Sequence, residues 1–497
     1  MLELFSQAIH QVLTIDVLVM MLIGVTGGMV IGALPGLTAT MGVAILVPFT
    51  FTLDPLTSLA MLVGIYVGAI QGGSIPAVLI RTPGTPASAA TTFDGYPLAL
   101  KGEGDKALAS ALFASFFGGI FGTIVLAFSA PLISTVALKF SAAEYCTFGI
   151  FGLSVIISLA EGSMIKGLIS GFVGLLLATV GIDRVTGVPR FTFNSIELMS
   201  GISFIPVMIG LFAVSEIFHG AEKIVQIERI SFALKRLLPT YEEFKHIFKT
   251  LLRSSLIGTF VGALPGAGGD IAAFISYNEA KRFSKHPEEF GHGEINGIAA
   301  SESANNAVCE GAMIPLLTLG VPGDSVTAVL IGAFMIQGLQ PGPLLFVRNA
   351  DLVYAIFVAF FIANILNYIV ALVGARIFAR AVSIPRYLLL PAIMLLCIIG
   401  AYSIRNSFFD VWVMLLFGVI GYGMQKLGYP IGPVVLALIL GPMVESEFRR
   451  AMIMYQKNYM IFFTRPISLL FFILACISIF GPPLRTLLRA RKERIRS

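Results

Sequence analysis

Apolar runs of near-bilayer length recur along almost the whole chain, at 17–34, 56–71, 107–135, 143–160, 164–182, 198–218, 254–275, 326–346, 351–375, 387–403, 409–424, 428–444 and 466–483. A helical span takes about 20 apolar residues, and several of these runs are shorter, so about ten to fourteen crossings are expected, some tilted or broken. With 57% hydrophobic and only 12% charged residues, too little polar surface remains to face water, which excludes a soluble domain. The expected fold class is therefore an all-α polytopic membrane protein.

The first sixteen residues, MLELFSQAIHQVLTID, lack a basic n-region and a small-residue cleavage site, so the first run reads as a retained span and not a signal peptide. Cys146, Cys309, Cys397 and Cys476 are scattered without CxxC spacing, which suggests neither a disulfide framework nor a zinc site. The net charge of +5 is concentrated in the basic tail beginning at Arg485. By the positive-inside bias that tail and the polar segment 219–253, with Lys223, Arg229, Lys235, Arg236, Lys245, Lys249 and Arg253, are expected on the cytoplasmic side, and nucleic acid is not an expected partner. Arg449, Arg450, Lys457 and Arg465 also precede the last run, so the orientation of that run stays open.

The pentapeptide GALPG occurs at Gly32 to Gly36 and again at Gly262 to Gly266, and Ile75-Pro76 with Pro83-Gly84 matches Ile314-Pro315 with Pro322-Gly323. The offsets are 230 and 239, and two ordered matches so nearly in register predict an internal repeat. Five crossings between the copies would invert the second relative to the first, the pattern of secondary transporters with broken helices and a midplane site. The expected organisation is a first membrane repeat over 1–218 with a re-entrant hairpin at 72–92, an amphipathic linker over 219–253, a second repeat over 254–445 with a hairpin at 311–330, and a C-terminal span and basic tail over 446–497.

Proline and glycine break helices, and in hydrocarbon a broken backbone survives only where it lines a cavity or is buried in protein. Each GALPG is expected to end one half-helix and start another, offering free amides to an anion and free carbonyls to a cation. Gly36, Thr38, Gly266 and Gly268 lie at these breaks. Asp270, next to glycine carbonyls within an apolar run, reads as a Na⁺ or H⁺ ligand, with a water-facing helix cap as the alternative. The hairpin tips contribute Arg81, Thr82, Thr85 and Ser88 from the first copy and Gly323, Asp324 and Ser325 from the second, hydroxyls and amides suited to carboxylate oxygens; the plainer reading is turn chemistry in solvent loops. Arg81 either pairs with a substrate carboxylate or snorkels to an interface.

The 239 offset also sets Ile65-Tyr66-Val67-Gly68 against Ala304-Asn305-Asn306-Ala307. The second copy is the polar one, and Ser301, Glu302, Ser303, Asn305 and Asn306 on one helix form two stripes at i,i+4 that can face a cavity. Substrate ligands are thus expected at Ser303, Asn305 and Asn306, and ion ligands at Glu302, Asn305, Gly268 and Asp270. Gly118/Gly122 and Gly167/Gly171 have the GxxxG spacing of close helix packing. The five histidines lie outside the apolar runs and form no metal or triad pattern, so an enzyme is not expected.

The runs GALPGLTATMGVAILVPFTF, GGSIPAVLIRTPGTPASAATTFDGYPLALKGEGDKALA, GALPGAGGDIAAFISYNEAKRFSK and GIAASESANNAVCEGAMIPLLTLGVPGDSVTAVLIGAF resemble the large membrane subunit of the bacterial tripartite tricarboxylate transporters over nearly the whole chain. The resemblance implies an inner-membrane permease working with a small membrane subunit and a periplasmic solute-binding protein that delivers citrate-like carboxylates. It implies uptake driven by an ion gradient, Na⁺ or H⁺, without ATP or other cofactor, and no G-x-x-x-x-G-K-[ST] motif is present. Paired hairpins suggest an elevator-like motion. A stand-alone organic-anion transporter and a channel remain the alternatives.

Overall fold

The computed structural model describes residues 2–159, 163–183, 186–222, 236–381 and 386–496. In the first part of the chain the helices are α1 (Leu2–Val12), α2 (Ile15–Ala33), α3 (Ala39–Leu46), α4 (Pro55–Gly72), α5 (Ser74–Ile80), α6 (Thr92–Leu98), α7 (Gly104–Ala137), α8 (Ala142–Leu159), α9 (Met164–Ala178), α10 (Ile196–Met199), α11 (Phe204–Met208) and α12 (Ser215–Glu222). In the second they are α13 (Tyr241–Gly262), α14 (Gly269–Phe283), α15 (Ile295–Leu319), α16 (Ser325–Ile336), α17 (Leu345–Arg348), α18 (Ala350–Ala381), α19 (Arg386–Arg405), α20 (Phe408–Lys426), α21 (Gly432–Met454), α22 (Ile461–Thr464) and α23 (Pro466–Arg496). One antiparallel pair, β1 (Gly181–Ile182) with β2 (Pro189–Arg190), is the only sheet among the described residues. The all-α expectation holds.

Among the described residues seven stretches are long and apolar enough to cross a membrane, including Ile15–Ala33, Pro55–Ile80, Thr92–Ala137 and Ala350–Phe378. Their outer faces expose Phe128, Val373 and Trp412, side chains that acyl chains can solvate. Five shorter apolar helices accompany them, so apolar length by itself supports fewer spans than the sequence runs suggest. α15 is long enough at 25 residues, about 37 Å at 1.5 Å per residue, but it is polar along its middle.

Small residues set the packing. A Cβ on Gly28 would lie 2.3 Å from the Ile65 carbonyl oxygen and one on Gly32 would lie 2.1 Å from that of Ala69. Equal steps of four on both helices mean that α2 runs parallel to α4. In the second half Gly258 meets the Ala304 carbonyl at 2.2 Å and Gly262 that of Val308 at 2.7 Å, so α13 lies parallel to α15 in the same way. Gly72 on the Met29 carbonyl at 2.6 Å is likewise matched by Gly311 on that of Thr259 at 2.4 Å. Each of these pairs is related by 230 on one helix and 239 on the other, the two offsets found in the sequence.

At GALPG the chain turns back instead of continuing. Gly42 faces Ile65, and Ser58 donates to the Thr50 carbonyl at 2.8 Å, so the segment 39–52 descends along α4. Gly269 faces Asn305, and Gly297 faces Tyr277, so α14 descends along α15. Gly36 (φ 93°) and Gly266 (φ 82°) take the left-handed conformation at these reversals, which favours glycine. The run 254–275, expected as one broken crossing, is therefore corrected to a helical hairpin, because the left-handed glycine and the proline ahead of it turn the next helix back on the first.

The segment 72–80 continues α4 through Gly73, giving one 26-residue helix from Pro55 to Ile80, and the chain then dips inward at 81–88 before α6. α7 runs parallel to α15, with Gly118 on the Ser303 carbonyl and Gly122 beside that of Ala307, as the GxxxG spacing predicts. Asp94 ties α6 to the loop before α15 by accepting from the Gly291, Gly293 and Glu294 amides at 2.8, 2.8 and 2.9 Å. Part of the expected linker, 223–235, lies outside the described residues; 241–253 belongs to α13, opened by a capping box of Thr240 and Glu243.

These contacts predict a paired outcome. Gly28→Val and Gly262→Val overpack a helix against a backbone carbonyl and should each cost roughly 1–3 kcal/mol, read as a lower thermal unfolding midpoint in detergent. Gly27→Ala, where a Cβ meets nothing within 4 Å, should leave that midpoint unchanged.

Candidate substrate and ion site

Each GALPG turn is covered by the inward dip of its own half. A Cβ on Gly84 would lie 1.8 Å from the Gly32 carbonyl oxygen and 2.8 Å from the Gly73 Cα. Gly323 repeats this against the Gly262 carbonyl at 2.3 Å and the Ala312 Cα at 2.5 Å. The Gly266 amide donates to the Gly323 carbonyl at 2.7 Å, so a backbone group freed by the break finds its partner in the dip. Only glycine permits so close an approach.

Between halves the contacts cross over. Thr40, at the start of α3, bonds Ser325 at 2.7 Å; Gly269, at the start of α14, packs against Ala87, and Asn305 Nδ2 donates to the Ala87 carbonyl at 3.0 Å. Gly36, Thr38, Thr85, Ser88, Gly266, Gly323 and Ser325 therefore belong to one region built from two turns and two dips. Thr85 and Ser88 are buried with hydroxyls that lack a partner, and both face Gly73, where a Cβ would come within 2.6 and 2.7 Å of them. Thr38 caps α3 by accepting from the Met41 amide at 3.1 Å. Asp324 caps α16, accepting from the Thr327 amide at 2.8 Å, and takes a 2.5 Å bond from Tyr66 on its other oxygen.

α15 supplies the polar stripe. Glu302 is fully buried and accepts from Thr91 at 2.5 Å and from Ser115 at 3.0 Å. Asn306 donates to the Asn305 side-chain oxygen at 2.7 Å and keeps an unpartnered oxygen. Ser303 bonds back to the Ala299 carbonyl at 2.7 Å, and its own carbonyl is covered by Gly118, so its hydroxyl serves the helix. Ser301 does the same toward Gly297.

Other expected residues stand apart. Arg81 and Thr82 are exposed; Arg81 has a left-handed backbone (φ 57°) and lies 5.9 Å from the Tyr96 ring centroid. Asp270 sits half-buried in the first turn of α14, its carboxylate beside Gly268 at the N-cap position. That position suits the helix dipole.

Several buried polar groups escaped the sequence reading. Glu310 and Asn364 bond at 2.8 Å, and Asn367 joins Gln71 at 2.6 Å. Tyr66 had been read only as the apolar counterpart of the asparagines. Polar residues inside the apolar runs of α4 and α18 were the available signal. Among the described residues no lysine, arginine or histidine is buried, whereas seven acids are: Asp94, Glu144, Asp183, Glu302, Glu310, Asp324 and Asp410. Glu144, Asp183 and Asp410 pair with arginines and Asp94 with amides. Glu302, Glu310 and Asp324 have no basic partner among the described residues.

A separate cavity of about 930 Å³ opens beside the second dip, where Gly320, Pro341, Arg190, Arg405, Arg449 and Glu445 meet. Arg190 and Arg449 there share Glu445, each at 2.7 Å.

With this geometry fixed, residues 18–436 match the model of the tripartite tricarboxylate transporter TctA family. The chain belongs to that family. It is similar to the "Uncharacterized 52.8 kDa protein in TAR-I ttuC' 3'region" of Agrobacterium vitis, 44% identical over 92% of this chain and 91% of the relative. A second protein of that organism, the "Uncharacterized protein in TAR-II ttuC' 3'region", is 41% identical over 44% of this chain and 92% of the relative. No solved structure matches. This TctA-family chain is thus a multi-pass membrane component of a transporter family.

The Tyr66–Asp324 bond joins the halves at the site and yields a test. Tyr66→Phe leaves a buried carboxylate oxygen short of its donor and should cost about 1–3 kcal/mol. Combined with Asp324→Asn the loss should be less than additive, as for two partners in one contact; thermal unfolding of the two single variants and the double variant checks this.

Proposed function

We propose that this TctA-family chain is the permease of an ion-gradient-driven importer of citrate-like carboxylates in the bacterial inner membrane. In this reading it acts with a small membrane subunit and a periplasmic solute-binding protein. The family supports the transport class. The observation that carries the rest is the meeting of two GALPG turns and two inward dips around unpartnered hydroxyls, next to buried acids without a base.

The two halves act, in this proposal, as inverted repeats. α4 and α15 run in opposite directions: Gln337, beyond the end of α15, reaches Ser58 near the start of α4 at 2.8 Å, while α6, which packs on Val78 late in α4, is tied to the start of α15. Repeats so related can exchange roles between an inward-open and an outward-open state.

Thr85, Ser88, Asn305, Asn306, Ser325 and the freed turn amides take the substrate carboxylates, since each supplies or can turn a donor toward an oxygen. Glu302, Asn305, Asp270 and the Gly268 carbonyl take the coupling cation, Na⁺ or H⁺. Charge supports coupling: a carboxylate cargo entering a base-free, acid-bearing interior is repelled until cations neutralise the acids. The arginines of the 930 Å³ cavity offer such a cargo an entrance before that step.

Vesicles containing the complete transporter, given labelled citrate under an imposed Na⁺ gradient or an imposed H⁺ gradient, test the proposal. Accumulation under one gradient is expected and names the ion; equilibration without accumulation indicates a channel and overturns it. Asn305→Ala should lower uptake about a hundredfold, the scale of a lost charge-assisted contact, while membrane insertion is intact.

A further inference from the structure

Two turns beyond Glu302 on α15, about 12 Å along the helix, Glu310 is completely buried. One carboxyl oxygen accepts from Asn364 Nδ2 at 2.8 Å. The other, Oε2, is buried without any hydrogen-bond partner. α7 is shaped to receive this pair: a Cβ on Gly119 would lie 2.0 Å from Asn364 Oδ1, and one on Gly122 would lie 2.7 Å from Glu310 Oε2. Two glycines in one helix thus leave room for a carboxyl and an amide from two other helices.

We propose that Glu310 is the site that takes up and releases a coupling proton, with Asn364 as its positioning residue. This rests on the ion-gradient reading above but names the ion as H⁺ and places it on Glu310, apart from the ligand set around Glu302 and Asp270. An ionised carboxylate with a single neutral donor and no counter-charge is strongly disfavoured in a low-dielectric interior. A proton on Oε2 removes that charge and makes the lone oxygen a donor. The step is –COO⁻ + H⁺ → –COOH, with no electron transferred and no other group consumed.

The surroundings bear on which group holds the proton. The ionisable groups that interact with Glu310 are Tyr66 from α4 and Cys309 on α15 itself, and both of these also interact with Asp324 of the second dip. α7 presents Gly119 and Gly122, and α18 presents Asn364. No lysine or arginine forms an ion pair with Glu310 among the described residues, so nothing fixes its charge. Glu310 also lies where α7, α15 and α18 meet, so a movement of α15 against the other two would change what faces Oε2, as a proton carrier needs.

Glu310→Gln keeps the shape of the side chain and mimics the protonated state. In vesicles with the complete transporter, accumulation of labelled citrate under an imposed pH gradient should fall by about tenfold or more, while exchange of internal for external citrate stays within about twofold of the unaltered protein. Retained gradient-driven accumulation overturns the proposal, as does loss of exchange in a variant whose thermal unfolding is unchanged. Should the variant fail to insert, Asn364→Ala decides: a pH profile of uptake moved by about one unit supports the assignment, and an unmoved profile overturns it. An unaltered transporter that accumulates citrate under a Na⁺ gradient alone overturns the proton assignment and leaves the ion-coupled reading standing. No accumulation of any organic acid under either gradient sinks that reading itself.

Discussion

Backbone groups without partners are too costly to leave in hydrocarbon, and among the described residues the two GALPG turns and the two dips interrupt helices within the packed interior. The contact that makes them tolerable is glycine against carbonyl: Gly84 on Gly32 in one half, Gly323 on Gly262 in the other. Each GALPG turn is closed by the dip that follows it, and the Gly266 amide finds the Gly323 carbonyl. Replace these glycines by any residue with a side chain and the turns separate from the dips.

The same approach explains why the site is shared. Thr40 reaches Ser325 and Gly269 reaches Ala87, so each half's returning helix starts against the other half's dip. Neither half encloses the region alone. A movement of one dip would be felt at the opposite turn through a hydrogen bond or a direct van der Waals contact, the kind of link that the proposed alternating exposure of one site would use.

Much of this was legible in the sequence because packing of backbone on glycine is strict about spacing. The offsets of 230 and 239 reappear as contacts, Gly28 on Ile65 and Gly258 on Ala304, since a one-residue slip would put a side chain where only hydrogen fits. The direction of the chain after the break was not legible. Glycine and proline say where a helix stops, but apolar residues on both sides are equally compatible with resumption and reversal, and the reversal is visible only once Gly42 is seen beside Ile65 and Gly269 beside Asn305. Arg81 and Thr82 were grouped with Thr85 by proximity in sequence, yet the turn at 81–84 sends the first two outward and the third inward. Glu310, Asn364 and Gln71 went unread because each is a lone polar residue in an apolar run, and only the three-dimensional meeting of α4, α7, α15 and α18 pairs them.

The sign of the buried charge limits the mechanism most. Among the described residues three acids, Glu302, Glu310 and Asp324, lie inside without a base, and Arg190 and Arg449 line the separate cavity, where they are held by Glu445 and Asp183. For the anionic cargo proposed above this order has a consequence. The arginines would attract it, while their carboxylate partners compete with it. In the proposed import reading, ionised acids in this interior repel such a cargo and are themselves disfavoured, so uptake of cations by the acids and admission of the cargo favour one another.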